Sequence, residues 1–109
     1  MNRGEVFRFK APKDRRGHEQ AGARFAVVLQ ADELAPLSTV IVAPTSASAP
    51  PRAFRPCVDI GGVPTSVLVE QLRAVHHARL GELVGSIARR EQQEIDRALA
   101  LVLGLTPLI

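Results

Sequence analysis

The sequence predicts a mainly β fold in which a small barrel or strongly bent sheet is capped by one C-terminal helix. Three observations lead there. About six short apolar, β-rich segments follow one another with mostly local connections. Only the last segment changes to a helical period. The whole chain has 109 residues, the length of one domain over 1–109 with one core. Hydrophobic residues make up 46% and charged residues 23%, which excludes a disordered chain. With four Phe and no Trp or Tyr, the core must be aliphatic.

The elements follow in order. Glu5 to Lys10 alternates partially through Val6, Phe7 and Phe9 and is a strand. Ala11 to Ala23 mixes charges with Pro12, Gly17 and Gly22 and is a long polar loop, a common place for function in a small domain. Arg24 to Gln30 is almost continuously apolar, as a central strand is. Ala31 to Ser38 connects it to Thr39–Ala43, a β-branched run. Pro44 to Arg52 carries three prolines and three hydroxyl residues and reads as a loop. Phe54 to Ile60 is a strand ending at the turn Gly61-Gly62. Thr65 to Val69, Leu72 to Val75 and Leu80 to Ile87 are further short strands. From about Ala88 to Leu103, Ile95, Leu99 and Val102 recur at i, i+4 and i+7, and Gly104 with Pro107 ends the helix. Ala88 is a poor residue for its N-cap.

The net charge is +3, unevenly spread. Residues 1–24 hold seven basic against three acidic residues, a balance of +4, and the remainder nets −1. A basic N-terminal quarter suits a polyanion such as nucleic acid, although solvated loop arginines give the same count. One cysteine, Cys57, excludes an internal disulfide framework and a cysteine-based zinc cluster, and its apolar neighbours suggest a small buried side chain. The pair His76-His77 has no carboxylate or Cys at ligand spacing, which predicts a surface or interface role and no metal. No apolar run approaches the ~20 residues of a membrane span, and the charged start is unlike a signal peptide, so a cytoplasmic protein without membrane contact is expected.

Polar residues cluster where strands meet loops: His18, Glu19, Arg24, Thr45, Ser46, Glu70, Gln71 and Arg73. Each has an ordinary reading. A Ser or Thr after a strand satisfies turn backbone, and an Arg beside a strand pairs with a surface carboxylate.

Taken together, these segments resemble the MazF/PemK family of endoribonuclease toxins from type II toxin–antitoxin systems. Arg3 to Phe7, R-G-E-V-F, resembles the family's opening. Gly17 to Arg24, G-H-E-Q-A-G-A-R, closely resembles its most specific segment. Val40 to Ser46, Glu70 to Arg73 and Asp96 to Leu105 resemble its central strand and turn, its [DE]-Q-x-R element and its closing helix. The chain departs in having Phe25 where the family has Pro, and Phe7 where Trp is usual.

The resemblance implies an SH3-like β-barrel of the PemK/CcdB type, a homodimer, and no cofactor. It implies sequence-specific cleavage of single-stranded RNA (messenger, transfer or ribosomal) by metal-independent attack of the substrate 2′-hydroxyl, silenced by a cognate antitoxin. Placed on this sequence, Arg24 and Thr45 hold the scissile phosphate, and Glu19 and Glu70 carry protons. His18, Gln20, Ser46, Gln71 and Arg73 bind RNA, with His18 also able to carry a proton. Glu70 as an acid requires a raised pKa, and Arg73 is a phosphate contact or the partner that positions Glu70. The alternatives are a non-catalytic, gyrase-binding toxin of the same fold, or an inactive member kept as a binding module.

Overall fold

In the computed structural model, which describes residues 1–10 and 24–105, one curled sheet carries a helix at its C-terminal end. The strands are β1 (Glu5–Phe9), β2 (Phe25–Val28), β3 (Thr39–Ser46), β4 (Cys57–Ile60), β5 (Val63–Val67), β6 (Arg73–His76) and β7 (Leu80–Ser86), followed by α1 (Arg89–Leu103). Their spatial order is β4-β5-β3-β2-β1-β7, with β6 also paired to β3. Every pairing is antiparallel. The barrel-like, mainly β fold with a terminal helix is therefore the one expected.

The sheet is buried on both faces, which is why its central strands read as unbroken apolar runs. On one face, Val6, Val27, Ala43, Val58, Val67 and their neighbours receive Ile95 and Ala98 of α1. On the other, Phe7, Phe9, Ala26, Val28, Val40, Val42, Val75 and Leu80 form a second cluster. Strand alternation assigns successive residues to the two clusters, as with Val6 and Phe7.

Three boundaries differ from the sequence reading. β3 continues through Pro44 to Ser46, where a loop was expected. A strand residue turns its N–H and its C=O to the same edge, and on that edge β3 changes partner, from β6 at Thr39–Val42 to β5 at Thr45–Ser46. Pro44 sits at the changeover, its carbonyl accepting from the Leu68 N–H at 2.9 Å, so its missing donor costs no ladder bond. β4 starts at Cys57 because Arg52–Arg55 closes a tight turn, with the Arg55 N–H donating to the Arg52 carbonyl at 2.9 Å. β5 begins early, at Val63: Gly61 (φ 61°) and Gly62 (φ 85°) form a two-residue hairpin with Ile60 opposite Val63.

Cys57 is exposed, against expectation. In β4, Val58 and Ile60 take the core side, so alternation turns Cys57 and Asp59 outward. Ala88 does cap α1 poorly, having no side-chain oxygen. Glu91 compensates from inside the helix, accepting from the Ala88 N–H at 2.8 Å and, through its other oxygen, from the Asp59 N–H at 2.8 Å.

Candidate functional site

The basic residues at the C-terminal end of β1 and the start of β2 are arranged unlike those elsewhere in the chain. Arg24 immediately precedes β2, fixed by the Phe9 N–H donating to its carbonyl at 2.9 Å. Its side chain is half-buried, and its Nε is buried without a hydrogen-bond partner among the described residues. Arg73 opens β6, opposite Val42. Arg79 ends the short turn after β6. The Arg73 and Arg79 guanidiniums both lie over the Phe9 ring, at 5.0 and 5.4 Å from its centroid. Partial burial, then the like charges of Arg24 and Arg79, hold Arg73 below its usual pKa. Among the described residues, no carboxylate forms an ion pair with any of these three arginines.

The two hydroxyls expected at the phosphate face opposite ways. Thr45 is opposite Val67 and belongs with Ala43 on the helix-covered side. Its Oγ1 donates to the Phe25 carbonyl at 3.3 Å, and it is buried. Ser46, one residue on, turns to the other face, the face to which Ala26, Val28 and Phe9 belong and against which Arg73 packs. Its Oγ accepts from the N–H groups of Ser48 (3.3 Å) and Ala49 (3.0 Å), and so folds the segment after β3 back on itself. Both residues line an open cleft of about 550 Å³ together with Phe25, Ser48, Thr65 and Val84.

Glu70 is placed differently from its expected role as an acid. Its Oε2 accepts from the Arg55 Nε at 2.7 Å and Nη2 at 2.6 Å, while Oε1 is buried without a partner. Burial alone would raise its pKa, but the Arg55 hydrogen bond and charge outweigh burial and leave the carboxyl below its ordinary value, with a smaller contribution from Gln71. The direction is the one that suits a proton acceptor, opposite to the raised pKa expected of an acid. Arg55, not Arg73, positions it. The sequence contained no motif pointing to Arg55, since the pairing depends on the turn before β4 folding toward the short 3-10 turn that holds Glu70. Gln71 is exposed. His18, Glu19 and Gln20 lie outside the described residues. His76 and His77 stack at 4.5 Å and are exposed, and among the described residues no three His, Cys, Asp or Glu side chains could hold a metal ion.

Residues 2–103 match the model of the PemK-like, MazF-like toxins of type II toxin–antitoxin systems. A curated Mycobacterium tuberculosis protein named "Putative toxin Rv3098A/RVBD_3098A" is 39% identical over 104 residues, 94% of this chain and 97% of its own length. Among solved structures, a mycobacterial endoribonuclease in complex with its cognate antitoxin superposes with a TM-score of 0.78 at 18% identity, over 99% of both chains. Mycobacterium tuberculosis toxin MazF-mt6 does so with a TM-score of 0.76 at 19% identity, over 94% of this chain and 99% of its own. These likenesses place the fold, and the sequence match over nearly the whole chain places the lineage: the chain belongs to the PemK/MazF-like family of toxins of type II toxin–antitoxin systems.

Proposed function

We propose that the chain is an endoribonuclease toxin that cuts single-stranded RNA at a short sequence by attack of the substrate's own 2′-hydroxyl. The observation that carries this reading is the cluster of Arg73 and Arg79 over the Phe9 ring with the charge of Arg24 close to Arg73, and no carboxylate paired to the three among the described residues. Concentrated unpaired charge is costly to a fold and suits a polyanionic ligand.

The reaction asks little of the protein. The 2′-oxygen attacks phosphorus as its proton leaves, the bond to the 5′-oxygen breaks, and that oxygen takes up a proton. The products are a 2′,3′-cyclic phosphate and a 5′-hydroxyl. Arg24 neutralises the phosphorane oxygens with a two-pronged grip. Of the two hydroxyls, Ser46 shares the Arg24 face and donates to the same phosphate, while Thr45 braces the start of β2 through the Phe25 carbonyl. Glu70, held ionised by Arg55, serves as proton acceptor beside Glu19 and His18. Arg73, with Gln20 and Gln71, binds the flanking RNA. No step uses a Lewis acid.

The same surface accounts for control. A flexible acidic segment of a cognate antitoxin fills a basic groove as it folds. A structural neighbour named as an endoribonuclease in complex with its cognate antitoxin supports a nuclease under antitoxin control. The chain works as a cytoplasmic homodimer in this reading. Incubating purified protein with a long transcript in excess EDTA should leave cyclic-phosphate and 5′-hydroxyl ends, and 2′-deoxyribose at the cut site should block cleavage. Cleavage of that deoxy substrate would overturn the mechanism.

A further inference from the structure

We propose that Arg79 is a second phosphate-binding arm, which with Arg73 grips an RNA phosphate next to the one at Arg24; this rests on the RNA-binding reading above. No motif singles out Arg79. It stands in a short 3-10 turn, His77–Arg79, between β6 and β7. The turn is built to place it. His76 Nδ1 accepts from the Ala78 N–H at 3.1 Å, which fixes the turn's start. The Lys10 N–H donates to the Arg79 carbonyl at 3.0 Å, which ties the turn's end to the end of β1. Leu80 then pairs with Phe9 as β7 begins. The Arg79 side chain is thereby delivered to the Phe9 ring from one strand end while Arg73 arrives from another.

Phe9 itself is buried to 9% exposure, so its ring is a fixed platform and not a mobile cover. Both guanidinium carbons lie within about one ring-width beyond van der Waals contact of the same centroid, 5.0 Å for Arg73 and 5.4 Å for Arg79. Both side chains are exposed, so the ring orients them without using up their N–H donors. Among the described residues the Arg79 guanidinium makes one hydrogen bond, Nη2 to the Lys10 carbonyl, and it is long at 3.4 Å. The ion pairs among the described residues lie elsewhere: Glu82 with Arg8, Glu70 with Arg55 and Asp96 with Arg3.

Two cations held against one aromatic ring, open to solvent and close to a third whose buried Nε has no partner among the described residues, suit consecutive phosphates of a polymer. A single small anion would meet one of them. Arg24 sits deepest and takes the reacting phosphate. Arg73 and Arg79, farther out, hold the neighbouring one. Their contacts are to backbone oxygens, so they add affinity without reading a base.

The test is binding of a fluorescent, mixed-sequence single-stranded 2′-O-methyl RNA, which cannot be cleaved, measured against salt concentration with the full chain. Arg79→Ala should bind on the order of tenfold more weakly at low salt, and its log–log salt slope should be shallower by about 0.7, one lost phosphate contact on a single strand. Arg79→Lys should restore most of the slope, because the contact is mainly charge. Cleavage of a long transcript at subsaturating protein should fall in step with the lost affinity. An unchanged slope and affinity in Arg79→Ala would overturn the inference, as would a lowered melting temperature with an unchanged slope, which marks a purely structural arginine. Binding of an acidic peptide, but not the RNA, with the same salt dependence would overturn it in favour of a protein ligand. A chain that binds the oligonucleotide and cleaves nothing would refute the nuclease reading alone and leave the Arg79 slope to decide this one.

Discussion

Two arginines from the sequence motifs, Arg3 and Arg24, have opposite surroundings. Arg3 is fully engaged by its own protein. Its N–H donates to Asp32 Oδ1 at 2.6 Å, its Nε to the Leu29 carbonyl at 2.8 Å, and its Nη2 to Asp96 of α1 at 2.7 Å. It ties the N-terminus, the end of β2 and the helix into one knot. Arg24 has a buried Nε with no partner among the described residues, and its charge acts on Arg73, as does that of Arg79. An arginine whose donors are all answered by the fold stabilises it, and one left unanswered among like charges is held for something outside the chain.

The sharpest way to break this contrast is Arg24→Ala. Loss of one preorganised donor to a transition-state oxyanion costs on the order of a hundred- to a thousandfold in rate. Cleavage should fall by at least that much. The melting temperature should hold or rise slightly, because a like charge beside Arg73 is removed. Arg24→Lys should recover little, since an ammonium lacks the two-pronged grip. Near-normal single-turnover cleavage by Arg24→Ala would make it an ordinary surface arginine and dissolve the comparison. Within the same surface, Ser46→Ala should cost more activity than Thr45→Val. The reverse ranking would return the phosphate to Thr45.

The Arg3 region should answer with stability and not with rate. Gly4 has φ 88°, and a Cβ there would stand 2.9 Å from Gln92 Oε1 and 3.4 Å from Ile87 Cγ1. Gly4→Ala should therefore cost roughly 1–2 kcal/mol for the left-handed backbone, with a further part for moving Gln92. Arg3→Ala leaves the Leu29 carbonyl without its donor and Asp96 without its cation, a loss of about 1–2 kcal/mol. Both should appear in thermal melts, with cleavage per folded molecule unchanged below the transition. A rate loss in Arg3→Ala without a melting shift would show that the N-terminal motif serves chemistry after all.

The fold was legible because its signals are local. Val27 and Val28 sit in a continuous apolar run since the sheet is covered on both faces, and Ile95 and Ala98 repeat with the helical period since one stripe of α1 is buried. What escaped was non-local. Pro44 reads as a strand breaker until the partner change of β3 makes its missing N–H harmless. Arg24 and Arg73 could be picked out by motif, but their relation to each other and to Arg79 needs β1, β2, β3 and β6 assembled into one sheet. The facing of Thr45 and Ser46 turns on a one-residue strand parity that a strand–loop boundary placed at Pro44 cannot supply. Arg55 carried no signal at all, because the pair it makes is with a residue 15 positions away.

The smallest expected effect tests the pair that stands between the two regions, Glu70 with Arg55. Its carboxyl is held below the ordinary value of 4.5, because the Arg55 hydrogen bond and charge exceed the opposing effect of burial. A group with a depressed folded pKa contributes stability above its unfolded pKa and loses it as the pH falls through the folded one. Melting temperature should thus be flat near neutrality and decline from about pH 4.5 downward, with Asp96, also depressed below its ordinary 3.8, adding to the fall. Arg55→Gln removes the Arg55 hydrogen bond and charge and leaves burial opposed only by the Glu70 backbone and Gln71 hydrogen bonds. In that variant the Glu70 share of the acid limb should shrink, so stability should fall less steeply toward low pH. Glu70→Gln should abolish the Glu70 part of the dependence in either background. The acid limb can be followed by circular dichroism melts at half-unit pH steps. If Arg55→Gln and the unaltered chain lost stability in parallel toward low pH, the pair would be an exposed contact of little energy, and Glu70 would be free to take the raised pKa that a proton donor to the leaving 5′-oxygen requires.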